Sequence, residues 1–177
     1  DHTLPKAILL SLPLLNESIV EYSLESILIA AGKACPDILI TYLPGIVDIL
    51  SIPSREIAFN FPDKDMPEYN EHFLSRLDTV KLHTLIFIRS VYSRLSSRQS
   101  LPVNLTPSAV CILAIDSSRS LDVISACYDI INLHTQRGGH DNTRILDRLK
   151  KAEGDGKRLH ALKSPGGQHS SVMEGSK

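Results

Sequence analysis

The run Ala109–Ile115, AVCILAI, constrains the fold of this chain more than any other stretch. Seven uniformly apolar residues stop abruptly at a carboxylate, Asp116, and a Ser-rich corner, Asp116–Ser120, follows. A second apolar-periodic segment, Leu121–His134, comes next. A short continuous apolar run bounded by turn residues fits a fully buried strand. The unit reads as a strand that delivers an acid to its C-terminal edge, a tight turn and a returning helix. In open α/β sheets that edge is where ligands bind. The expected class is therefore α/β, a Rossmann-like, mostly parallel sheet with flanking helices.

Other segments fit the same pattern. Lys6–Leu12 is apolar and closed by Pro13, as a first buried strand would be. Asn16 can cap a helix from Glu17 to about Lys33, with Val20, Leu24, Ile27 and Ala31 on one face. Asp37–Leu43, rich in β-branched residues, supplies a second strand. Strand, capped helix and strand in so short a span make a βαβ unit with parallel strands. Ile57–Phe61 alternates as a short third strand does. A long helix is expected from about Pro67 to Ser97, although the β-branched content of Leu82–Tyr92 also suits a strand. Gly138-Gly139 ends the Leu121 helix, and Asn142 caps a last one from Thr143 to about Glu153. The organisation expected is a Rossmann-like domain over 1–136, a basic helical segment over 137–163 and a flexible polar tail over 164–177. An all-α alternative competes with it. Pro36, Pro44, Pro67 and Pro107 can each occupy the first turn of a helix, which would give a stack of helices, a scaffold rather than an enzyme.

Bulk properties narrow the function classes. The 177 residues are 42% hydrophobic and only 5% aromatic, so Leu and Ile must fill the core. A net charge of −1 gives the chain no bulk attraction for nucleic acid. The charge is uneven, since residues 137–163 are distinctly basic and the preceding part is acidic. Cys35, Cys111 and Cys127 form an odd set without C-x-x-C spacing, which fits reduced thiols in the cytoplasm. Ala7–Leu15 is too short to span a bilayer and lacks the flanks of a signal peptide, so neither a membrane span nor secretion is expected. None of the seven histidines has metal-ligand spacing, so no metal is expected. No Ser lies in a G-x-S-x-G elbow, and no glycine-rich phosphate loop follows a strand.

Taken in order, these segments resemble the N-terminal, acceptor-binding domain of plant-type family 1 UDP-glycosyltransferases. The stretches that carry the likeness are KAILLSLPLLNESIVEYSLESILIAAGKACPDILITYL, IAFNFPDKDMP, VYSRLS and above all AVCILAIDSSRSLDVISACYDI. The resemblance implies half of a GT-B architecture and an inverting transfer of sugar from a UDP-sugar to a small hydroxylated acceptor. No resident cofactor is implied, the UDP-sugar being a co-substrate. In the family a His removes the acceptor proton while an Asp orients that His. Asp116 matches the Asp, whereas the His position is held by Glu17, a weak base toward a hydroxyl. The likeness implies an acceptor site at Pro13, Leu14, Asn16, Ser117 and Ser118. With its base replaced and no C-terminal domain, such a chain would be a truncated or divergent member, weak or inactive as it stands. The competing expectation is a non-catalytic protein–protein interaction module that works with a partner or a second domain.

Overall fold

The computed structural model describes residues 43–54, 71–95, 100–139 and 142–163, with Ser26 on its own, and every segmental element among them is helical. Helical residues 43–47 (α1) tighten into a 3-10 turn, Asp48–Ser51. Helix α2 follows at Glu71–Arg94, then a 3-10 turn at Val103–Leu105, α3 at Pro107–Ser117, α4 at Leu121–Gln136 and α5 at Thr143–Lys163.

The expected Rossmann-like parallel sheet, and with it the GT-B half-architecture, is overturned: the described residues contain no strand. Ala109–Ile115, the segment on which the sheet rested, lies inside α3. Leu43, at the end of the second expected strand, is helical, and Leu82–Tyr92 is helical throughout. The first and third expected strands, Lys6–Leu12 and Ile57–Phe61, lie outside the described residues. The all-α alternative is the one that fits.

Local chemistry accounts for the outcome. Thr106 caps α3 by accepting a hydrogen bond from the Ala109 N–H, and Pro107 sits in the first turn, where its missing donor costs nothing. Ser120 caps α4 in the same way through the Val123 N–H. Helix α4 closes in a Schellman turn. The Gly138 N–H reaches Thr135 O at 3.1 Å and the Gly139 N–H reaches His134 O at 2.9 Å, with Gly138 in the left-handed region at φ 81°.

Helix α4 is the centre of the stack, packed against α2, α3 and α5. Its buried stripe Val123, Ile124, Cys127, Ile130 and Ile131 repeats at helical spacing. Helix α2 buries Leu77, Val80, Leu85, Ile88, Val91 and Tyr92 along one stripe. Arg137, just beyond α4, donates to the carbonyls of Tyr92 and Leu95, closing the C-terminal end of α2. Tyr128 donates to Glu153 Oε2 at 3.3 Å between α4 and α5. Cys111 and Cys127 are free thiols at the α3–α4 seam, where the Cys111 Sγ–H lies 3.6 Å from Cys127 O. Among the described residues no helix is long and apolar enough to cross a membrane.

Two buried acids set an alkaline limit. Burial, with Cys111 nearby, pushes the Tyr92 phenol far above its ordinary value, and its hydroxyl donates to Leu105 O at 2.5 Å. The Cys127 thiol beside it, together with burial, pushes the Cys111 thiol up as well. In the unfolded chain these groups ionise near their ordinary values, about 9–10, whereas in the fold they remain neutral. Stability is therefore intact at neutral pH and falls as pH rises from about 9–10 toward the raised folded values. Urea midpoints should hold steady to about pH 9 and decline above it. The Tyr92→Phe variant should decline less steeply, from a neutral-pH stability lower by about 1 kcal/mol for the lost hydrogen bond.

Candidate functional site

Among the described residues, a dense gathering of chemically capable side chains lies where α2 meets the end of α3. Lys81 sits on the buried stripe of α2 and is 0% exposed. Its ammonium faces four acceptors: Ile52 O, Ser54 Oγ at 2.9 Å, Ser117 Oγ at 3.0 Å and Ser117 O at 3.1 Å. One turn earlier on α2, Asp78 Oδ1 accepts from Ser54 Oγ at 2.6 Å and from Ser118 Oγ at 2.7 Å. Ser54 thus relays between the cation and the carboxylate, accepting from Lys81 and donating to Asp78. Ser117 Oγ donates to Leu50 O, and Ser118 Oγ accepts from the Ser120 N–H at 3.1 Å.

The position of this cluster follows from the end of a helix. The last carbonyls of α3 have no partner within the helix. Ser117 O accepts from the Ser54 N–H at 2.7 Å and from Lys81, while Ile115 O accepts from Arg119 at 2.6 Å. Two cations at a helix C-terminus also face the negative end of its dipole. Lys81 consequently ties three segments together: the turn that follows α1, the body of α2 and the α3–α4 corner.

A cavity of about 380 Å³ opens beside this corner, between the start of α4 and the last turns of α5. Asp78, Arg119, Asp122, His160 and Lys163 are among its lining residues, so carboxylates and cations are mixed within it. No group of three His, Cys, Asp or Glu side chains able to hold a metal ion occurs among the described residues.

Of the residues singled out in the sequence, Ser117 and Ser118 reach the cluster of Lys81 and Asp78, and Asp116 does not. Asp116 projects from α3 as an exposed side chain and pairs with Arg148 of α5 at 2.8 Å. Ser117 and Ser118 are buried in the Lys81 cluster, at 4% and 0% exposure. Glu17, Pro13, Leu14 and Asn16 lie outside the described residues. Lys81, Asp78 and Ser54 had no place in the sequence reading. The available signal was positional: Lys81 and Thr84 interrupt the apolar stripe Leu77, Val80, Leu85, Ile88, so each must find polar partners inside the protein.

Chemically, the cluster is arranged as a latch. A Ser–Lys hydrolase needs a neutral lysine that accepts the serine proton and a serine that reaches substrate. Here both serines are buried away from any substrate, and each is also bonded to a second partner, Ser54 to Asp78 and Ser117 to Leu50 O. No protein-family profile matches this chain, and neither a curated protein nor a solved structure matches it.

Proposed function

We propose that the chain is a non-catalytic helical interaction module, a packed stack of helices whose working parts are its exposed faces. One observation carries this reading: the lysine and the three serines that gather where α2 meets the end of α3 are sealed inside the protein. Lys81, Ser54, Ser117 and Ser118 are each at most 4% exposed and are bonded to protein partners. Buried side-chain polar atoms among the described residues are all satisfied. Such a cluster fixes helix ends and offers nothing to a substrate. The helical architecture also favours this reading over sugar transfer, because the acid and base of that chemistry stand on a Rossmann-like sheet.

Chemical labelling tests the proposal. A fluorophosphonate, which phosphonylates activated serines with loss of fluoride, should leave Ser54, Ser117 and Ser118 unmodified in the folded chain, and Lys81 should resist an amine-reactive ester until urea unfolds the protein. Stoichiometric fluorophosphonate labelling of Ser54 or Ser117 under native conditions would show an activated nucleophile and defeat the proposal.

A further inference from the structure

Helix α5 has a broad exposed face, tied to the other described helices through the Arg148–Asp116 pair. Its buried side is Ile145, Leu149, Ala152 and Gly156. Around the rest of the helix stand Arg144, Arg148, Lys150, Lys151, Lys157 and Arg158, all exposed, against Asp147, Glu153 and Asp155. The neighbouring acids are largely committed. Asp116 takes Arg148, Glu153 takes Lys157 at 2.6 Å, and Asp155 takes Arg158. Lys157 holds the Glu153 carboxyl below its usual range, as a standing pair does. Arg144, Lys150 and Lys151 pair with no acid among the described residues. Arg144, Arg148, Lys151 and Arg158 lie within about 40° of one line along the helix, given 100° per residue. Leu162, 83% exposed, falls on the same line five turns after Arg144.

We infer that this face of α5 docks an acidic segment of a partner protein, a refinement that rests on the interaction-module reading. The line from Arg144 to Leu162 is about 27 Å long at 1.5 Å per residue. That length takes about eight residues of an extended peptide. Spaced carboxylates would meet Arg144 and Lys151, and an apolar side chain would cover Leu162. Asp147 and Asp155 stand within the face and repel the closely and uniformly charged backbone of a nucleic acid, whereas a peptide with spaced acids leaves room for them. Complementary charge of this kind selects partners and speeds encounter.

The test is fluorescence anisotropy with a labelled twelve-residue peptide of alternating Glu and Leu-Glu units. Saturable binding should weaken about tenfold between roughly 50 and 300 mM salt. The Arg144→Glu/Lys151→Glu variant should lose about tenfold or more in affinity. An Arg89→Glu/Arg94→Glu variant carries the same charge change on exposed positions of α2 and should bind as the parent does. Circular dichroism checks that both variants remain helical. Absence of saturable binding, equal loss in the two variants, or tighter binding of a single-stranded oligonucleotide of equal charge would each overturn the inference. None of these outcomes touches the interaction-module reading, which stands or falls on the serine and lysine labelling.

Discussion

Replacing Lys81 by Ala is expected to lower the unfolding free energy by about 3–5 kcal/mol, the range for breaking a buried, hydrogen-bonded charge cluster from one side. For a chain of this length that is a fall of roughly 6–20 °C in melting temperature. The loss has separable parts. The ammonium supplies donors to Ile52 O, Ser54 Oγ and two atoms of Ser117. Without it, the half-buried Ile52 O loses its Lys81 donor, a loss of up to about 1–3 kcal/mol, the range for a stranded acceptor. The Ser117 carbonyl keeps the Ser54 N–H, so its loss is smaller. Truncating the four-carbon stem leaves a cavity on the α2 stripe and adds a packing cost. Lys81→Met separates these contributions, since it keeps an unbranched apolar stem as far as the ε position and deletes the terminal amine. It should lose about 2–3 kcal/mol, whereas exposed Lys150→Met should change stability by less than about 0.5 kcal/mol. Urea unfolding with unchanged m-values measures all three. A Lys81→Met protein as stable as the parent would show that hydrophobic packing replaces the latch at no cost, as happens for some buried ion pairs.

Much of the helical content was legible in the sequence, and the reason one segment misled is specific. Helix α4 announces itself through Ser120 at the cap, apolar residues at helical spacing and the glycine pair at its end. Helix α3 carries no such amphipathic signal, because it is apolar nearly all round. It buries Val110, Cys111, Ala114 and Ile115 in the core and half-buries Ile112 and Leu113 against it. A short helix buried on most sides and a central strand have the same sequence appearance, a brief unbroken apolar run. Thr106-Pro107 was the discriminating signal, since a capping residue followed by Pro starts helices. The polar cluster was legible only after α2 was known to be a helix. Only then do Lys81, at i+4 from Leu77, and Thr84 fall inside its apolar stripe. Ser54 and Ser117 are separated by long stretches of chain, and no local pattern announces their meeting at the Lys81 ammonium. The end of α5 was misjudged for a different reason. The sequence ends this helix at about Glu153, before Gly154, yet it continues to Lys163, because tertiary packing outweighs the roughly 1 kcal/mol propensity cost of each of Gly154 and Gly156.

Those two glycines should respond in opposite directions to the same substitution. A Cβ at Gly154 would meet nothing within 4 Å, so Gly154→Ala removes unfolded-state freedom without strain and should stabilise the protein by about 0.5–1 kcal/mol. A Cβ at Gly156 would stand 2.7 Å from Arg119 O and 3.0 Å from Leu121 Cδ2. The first of these is backbone, held at the corner by the Arg119 side chain, which donates to Ile115 O and Ser118 O. It cannot swing aside as a side-chain tip can, so α5 must lift away from the corner. Gly156→Ala should therefore lose about 1–3 kcal/mol, the usual cost of overpacking, despite the better helix propensity of Ala. Urea midpoints of the two single variants decide the matter, and a stabilised Gly156→Ala would mean that the corner yields freely. The same strain links Gly156 to the latch, because Arg119 follows Ser117 and Ser118, which Lys81 and Asp78 hold in place. In a Lys81→Met background the corner is held less firmly, so part of the Gly156→Ala penalty should disappear, by about 0.5 kcal/mol or more in a double-mutant cycle. Gly154→Ala, which presses on nothing, should add to Lys81→Met within about 0.5 kcal/mol. A cycle in which both glycine variants prove additive would separate the α5 contact from the Lys81 cluster and leave the corner as two independent supports.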